Sequence, residues 1–439
     1  MKKVIGMLAV VALVSSVASA ELLKNFKYDG KIEINGYQST NDVDFNSKTK
    51  DAWSDVQTRV QLNAGFDLNE DVNAVVSVVK NNRNYGNNSE SATTNTAVGS
   101  ANDGVLGNIF FEQAYLNLKG VLGIDHKLGR QYYGNEGDLV VYYGPTAYPY
   151  MWYLPVSAID AWTGWYKTGK LDIQAVYGKL SDSYVAPTDR DVNVNGLAAN
   201  YELLTDLKLG AYMYEKKTMN APGTTDTTLD VAGVKATGKF MGFDYYGELA
   251  KNYGSNAGID YTGTAFLANA KYGMDFMGKW TFMGEFAVGS GEDKTTDKKD
   301  KAFHSINSDY RSGVIVGGQM ELVGLADSDA SATVTDTGLT TWNVGAKWNP
   351  SKVEKLDLTA KYFFFAPTET KCDGVKIGYT TVGSEIDFAA NWKHSETVSV
   401  RGTVAAFMPD KKYAKVALAS ATAKNDAVKY AGLDFIVKF

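Results

Sequence analysis

The stretch VQTRVQLNAGFDL, residues 56–68, puts Val56, Thr58, Val60, Leu62, Ala64, Phe66 and Leu68 on one parity and Gln57, Arg59, Gln61, Asn63, Gly65 and Asp67 on the other. Successive side chains of an extended chain point to opposite faces, so this alternation specifies a strand with one apolar and one polar side rather than a helix. A soluble sandwich and a membrane barrel both satisfy that pattern. The remainder of the chain decides between them.

The first twenty residues, MKKVIGMLAVVALVSSVASA, set Lys2 and Lys3 before an apolar run and close on Ala18-Ser19-Ala20. They read as a secretory signal peptide cleaved after Ala20, leaving 21–439 as the mature protein. The run is too short to span a bilayer as a helix, and no later segment is long and apolar enough either. Without Lys2 and Lys3 the 44 basic residues fall to 42 against 50 acidic ones, a net charge of about −8, which argues against a nucleic-acid partner. Cys372 is the only cysteine, so no internal disulfide is possible. Forty-three glycines and only eight prolines suit a chain built mostly of strands.

The same two-faced pattern recurs in LDIQAVYGK (171–179), LKLGAYMYEK (207–216), TTWNVGAKW (340–348), KLDLTAKYFFF (355–365), SEIDFAANWK (384–393) and VSVRGTVAAFM (398–408). Short connections alternate with long polar ones, the largest at 83–107 and 290–338. Short turns on one rim and long loops on the other are the pattern of an outer-membrane barrel with its loops outside. Nineteen segments qualify as strands, whereas a single-chain bacterial barrel uses an even number. GVIVGGQMEL (313–322), with no short turn beside it, is assigned to a loop. The expectation is an all-β, transmembrane, antiparallel up-and-down β-barrel of eighteen strands, wide enough for an aqueous channel.

In the closing KYAGLDFIVKF, Leu433, Phe435, Val437 and Phe439 share a parity and resemble the insertion signal of outer-membrane barrels, which implies the barrel-assembly machinery as a partner. Val60 and its row then face outer-membrane lipid, and Arg59 and its row the lumen. The expected pore lining is Arg59, Gln61, Asn63, Asn117, Arg130, Gln174, Lys208, Glu248, Glu285, Asn343, Lys361, Glu385, Asp387 and Arg401. Arg130 shares the parity of Leu128, so its place in the lumen requires a bulge at Gly129. Arg59 and Arg130, on strands two and five, lie across the ring from Glu248 and Glu285 on strands eleven and thirteen, which predicts a transverse field.

Four segments carry a family resemblance: FFEQAYLNL with LGRQYYGNEGDLV (110–140), GEFAVGSGED with KAF (284–303), VGAKWNPS with LDLTAKYFFF (344–365), and VGSEIDFAANW with VRGTVAAFMPD (382–410). In order along the chain, they resemble the alginate export family of outer-membrane proteins. The resemblance implies an eighteen-stranded barrel and, for polyuronate export, a lumen crowded with arginines holding successive carboxylates. The chain offers Arg59, Arg83, Arg130, Arg190, Arg311 and Arg401.

In the loop YYGPTAYPYMWYLPV (142–156), Tyr142, Tyr143, Tyr148, Tyr150, Trp152 and Tyr153 fit either a constriction that stacks solutes or an aromatic belt at the membrane interface. His304 and Ser305 with Asp300 and Asp309 could form a nucleophilic group, but they sit in a charge-rich loop, EDKTTDKKDK (292–301), that reads as solvated surface. His and Cys show no metal-ligand spacing, and DSDASATVTD (327–336) lacks the spaced ligands of a calcium loop. No enzyme activity, metal or cofactor is expected. The sequence predicts a porin for passive diffusion of small hydrophilic solutes and ions; a dedicated polysaccharide or anion channel and a non-conducting surface barrel are the alternatives.

Overall fold

The computed structural model describes residues 24–84, 109–145, 158–182, 184–185, 188–189, 191–220, 225–319, 337–420 and 423–439. Among them, eighteen strands follow one another around a ring: β1 Lys24–Thr40, β2 Trp53–Asp67, β3 Val72–Asn84, β4 Ile109–Val121, β5 Ile124–Gln131, β6 Ile159–Thr168, β7 Leu171–Ser181, β8 Val192–Leu204, β9 Leu207–Thr218, β10 Thr227–Phe240, β11 Phe243–Asn256, β12 Thr264–Asp275, β13 Gly278–Gly289, β14 Leu339–Pro350, β15 Leu356–Pro367, β16 Gly383–Lys393, β17 Val398–Pro409 and β18 Val428–Lys438. Each pairs antiparallel with the next, and β18 closes on β1 in the register Ile34↔Phe435. Closure leaves no sheet edge, so the backbone groups of these strands find partners within the sheet. At the seam Gly30 N–H donates to Phe439 O at 2.8 Å, and the Phe439 ring occupies the space that a Cβ on residue 30 would need.

Eight short turns lie on one rim and nine longer connections on the other. The pairs Leu122–Gly123 and Met241–Gly242 have positive φ at both residues, the backbone that a two-residue hairpin turn requires. Side chains alternate as the sequence predicts: Val344 and Val404 are half exposed on the outside, while Asn343 and Thr403 on the same strands are buried inside. Aromatic contacts mark both ends of the outward face. Trp280 stacks on Trp348 with centroids 5.3 Å apart near the short turns, and Trp342 stacks on Phe364 at 5.7 Å toward the long loops. These are the girdles of a barrel that crosses a membrane.

The long-loop rim has its own apolar core. Phe45 and Phe407 meet edge to face at 6.4 Å, as do Phe365 and Phe407 at 6.3 Å, and Tyr379 packs edge-on against Tyr413 at 5.2 Å. Tyr413 lies on α1 (Lys411–Ala417), whose N-cap Asp410 accepts the amides of Lys412 and Tyr413. GVIVGGQMEL contributes no barrel strand; its described part forms a π-helical turn, Ile315–Gln319.

Candidate pore constriction

The register sorts the expected lining residues directly. Pairings Asn63↔Ser77, Asn117↔Lys127, Gln174↔Trp165, Lys208↔Glu202, Glu248↔Lys235, Glu285↔Asn343, Lys361↔Asp387 and Arg401↔Asp434 run around the inner face. Arg59, Gln61 and Glu385 share parity with members of that row.

Arg130 does not. It pairs with Ala114 and Asp160 on the outward row, and its guanidinium donates to Asp160 Oδ2 at 3.1 Å. Gly129 has a φ of 118°, but the pairing stays continuous through it, so no residue is gained and the parity does not flip. The bulge that does flip parity lies on β4: Gln113 opposes Ser77 and Phe111 opposes Val78, which leaves Glu112 as the extra residue, turned inward.

Glu112 meets Arg59. The Arg59 guanidinium lies 2.9 Å from Glu112 Oε1 and 3.6 Å from Glu33, and Arg59 and Glu112 are only 4% and 1% exposed. Glu248 is likewise enclosed, accepting the Tyr212 and Tyr246 hydroxyls at 2.6 and 2.5 Å with Lys235 Nζ at 3.6 Å. The expected transverse pairing therefore fails: Arg130 points outward, while Arg59 and Glu248 are each neutralised within their own wall.

Two long connections narrow the lumen. In 132–158, the described part turns through a short pairing of Tyr133 with Tyr143 and sends Leu139, Val140 and Val141 into full burial. Asp138 accepts from Lys235 at 2.9 Å, and the Tyr133 and Tyr214 hydroxyls lie 3.1 Å apart, fixing this loop to the β9–β10 wall. The described part of the connection 290–338 folds in beside it. Ile306 and Asn307 donate to Val140 O at 3.1 and 3.0 Å, Tyr142 donates to Asn307 O at 2.8 Å, and Gly137 N–H donates to Asp309 Oδ2 at 2.9 Å. Together the loops form a ledge across one side of the lumen. Tyr142 and Tyr143 belong to it, whereas Tyr148, Tyr150, Trp152 and Tyr153 lie outside the described residues.

The ledge continues along the wall. Tyr310 donates to Glu285 at 2.9 Å, the Ser312 and Thr341 hydroxyls are 2.9 Å apart, and the amides of Val314, Ile315 and Val316 reach Asp387 and Glu385. Against it, on the β13–β17 side, lies a cavity of about 580 Å³ lined by residues of both signs: Glu136, Glu285, Asp309 and Asp387, and Arg311, Lys361 and Arg401. Such a space can orient a dipolar solute, because charge in a low-dielectric cleft focuses the local field. His304 is hydrogen bonded to Asp300 at 2.9 Å, and Ser305 Oγ accepts the Ser308 amide, so the residues considered for nucleophilic chemistry serve loop packing. No group of three metal-ligating side chains occurs among the described residues.

Sequence reasoning left Glu112 and Lys235 off the lining, named Arg311 only among the chain's arginines, and took 290–338 as an outward loop, whereas it offered a constriction as one of two readings of 142–156. The adjacent polar pair Glu112–Gln113 inside FFEQAYLNL carried a signal, since it breaks the alternation where the bulge forms. The loop 142–156 carried one in its clustered aromatics, and 290–338 carried none.

No family model matches the chain, and no curated protein matches it in sequence. Solved structures do match. OccD3 (OpdP) of Pseudomonas aeruginosa superposes with a TM-score of 0.57 at 10% identity, covering 95% of this chain and 92% of that one. OccAB2 of Acinetobacter baumannii gives 0.56 at 10%, covering 96% and 99%. The outer membrane protein OpdK of Pseudomonas aeruginosa gives 0.54 at 12%, covering 95% and 100%. These likenesses are of fold: a closed eighteen-stranded barrel.

Proposed function

We propose that this protein is an outer-membrane porin through which small hydrophilic solutes and ions diffuse passively, without catalysis. The carrying observation is the closed eighteen-stranded ring whose outer row is apolar and whose inner row is polar, narrowed by two infolded loops beside a cavity of mixed charge. The fold likeness to the outer membrane protein OpdK of Pseudomonas aeruginosa supports the same reading. Export through the segment 1–20, residence in the outer membrane, and delivery to the barrel-assembly machinery by the strand carrying Phe439 belong to this proposal.

The mixed cavity favours solutes carrying both signs over a single-sign polymer. Passage of a polyuronate, the activity implied by the alginate-export resemblance, calls for a run of arginines open to the path. Here Arg59 is held by Glu112 and Glu33, Arg401 donates to Asp434 at 2.9 Å, and Arg130 faces outward. The test is single-channel recording of purified protein in a planar bilayer, with solute uptake into liposomes alongside. Discrete conductance steps and faster uptake of small amino acids than of oligouronates are expected; a silent bilayer would favour a non-conducting surface barrel.

A further inference from the structure

The turn at residues 312–316 meets the barrel wall in a way that packing alone does not require. Glu385 and Asp387 are consecutive inward residues of β16, and Glu385 has no solvent exposure. An ionised carboxylate so placed needs donors, because burying an unpaired charge is prohibitive. Its donors come from the loop backbone: Ile315 N–H reaches Glu385 Oε1 at 2.7 Å, Val316 N–H reaches Oε2 at 2.9 Å, and Val314 N–H reaches Asp387 Oδ2 at 3.1 Å. Gly313 permits the approach. Its φ is 84°, and a Cβ there would lie 2.8 Å from Glu385 Oε1.

We propose, building on the porin reading, that the turn 312–316 is a gate leaf clasped to the wall by the Glu385 and Asp387 carboxylates and released by protonation. Hydrogen bonds to an ionised acceptor are roughly twice as strong as neutral ones, so a proton on either carboxyl weakens the clasp at its anchoring points. The other charged groups facing this pair are Lys361 on β15, Arg401 and its partner Asp434 on β17 and β18, Glu285 on β13, Asp309 and Arg311 on the leaf's own loop, and Glu136 on the second loop. Lys361 opposes Asp387 directly across the sheet. The leaf borders the cavity, so its release changes the conducting cross-section.

Single-channel recording tests this in a Cys372→Ser background. Wild type should hold one steady level at neutral pH and switch between levels as the bathing solution is acidified and the paired carboxyls take up a further proton. Glu385→Gln should switch already at neutral pH; Asp387→Asn gives the same test should Glu385→Gln fail to assemble. The pair Ser312→Cys with Thr341→Cys, placed where the native hydroxyls are 2.9 Å apart, should abolish acid switching when oxidised and restore it on reduction. A steady conductance that ignores pH, acid switching that persists in the oxidised tether, or a neutral-pH Glu385→Gln trace like wild type overturns the gate and leaves the pore standing. A barrel that never conducts overturns both readings.

Discussion

Two buried carboxylates on different walls of the barrel are satisfied in opposite ways. Glu112 is neutralised by Arg59, a side chain two strands away in the same sheet, so the charge, its partner and the bulge that admits it all belong to the wall. Glu385 is satisfied by the backbone amides of an infolded loop rather than by a side chain of the sheet. The first arrangement stiffens the cylinder. The second makes the width of the lumen depend on the charge state of one strand.

The largest effect is expected where the wall itself is broken. Arg59→Met leaves Glu112 buried without a partner, and breaking a buried pair costs about 3–5 kcal/mol. Urea unfolding of the refolded barrel should show a loss of that order, and adding Glu112→Gln should recover most of it. Next comes Lys235→Met, which removes the cation shared by Asp138 and Glu248. A hydrogen bond to a charged group contributes about 1.5–3 kcal/mol, so the cost should be smaller and accompanied by faster proteolysis of the 132–158 loop.

Charge changes that leave the barrel intact sharpen the contrast between faces. Lys361→Gln with Arg401→Gln should move the bilayer reversal potential toward cations, most at low salt, because screening acts over about 8 Å at physiological ionic strength. Arg130→Gln should leave that potential unchanged and cost under about 1 kcal/mol, as for an exposed pair. A reversal potential that moves with Arg130 instead would mean the register reverses at Gly129.

The smallest effect lies on the long-loop rim. Asp426 accepts the amide and hydroxyl of Ser47 at 2.9 and 2.6 Å, and these bonds hold its carboxyl below the usual range. A depressed folded value stabilises the clasp above the ordinary carboxylate range, near about 4, and that contribution is lost as pH falls through the folded value. Protease cutting within 41–52 should accelerate only in that acid window, and Asp426→Asn should show the faster rate at neutral pH.

The cylinder was legible in the sequence because a strand between water and lipid must alternate. The count of eighteen strands follows from that rule together with parity and the missing short turn beside GVIVGGQMEL, which set that segment aside, while β4 departs from strict alternation at its bulge. Arg130 was misread because a glycine beside a charged residue resembles a bulge. The true bulge announces itself through two adjacent polar residues, Glu112 and Gln113. The part of the ledge contributed by 290–319 was not legible, since an infolded loop buries backbone against wall side chains and no period records which wall it chooses. Tyr142 lies on the ledge, while the choice between constriction and interfacial belt for Tyr148, Tyr150, Trp152 and Tyr153 falls outside the described residues.

Cysteine mapping of the path tests the account most directly. Lys361→Cys, in a Cys372→Ser background, places a thiol on the wall of the mixed-charge cavity, and Val404→Cys places one on the outward face. A bulky thiol reagent added during single-channel recording should lower the conductance of the Lys361→Cys barrel and leave the Val404→Cys barrel unchanged. Block at Val404 with none at Lys361 would contradict both the register and the route proposed for solutes.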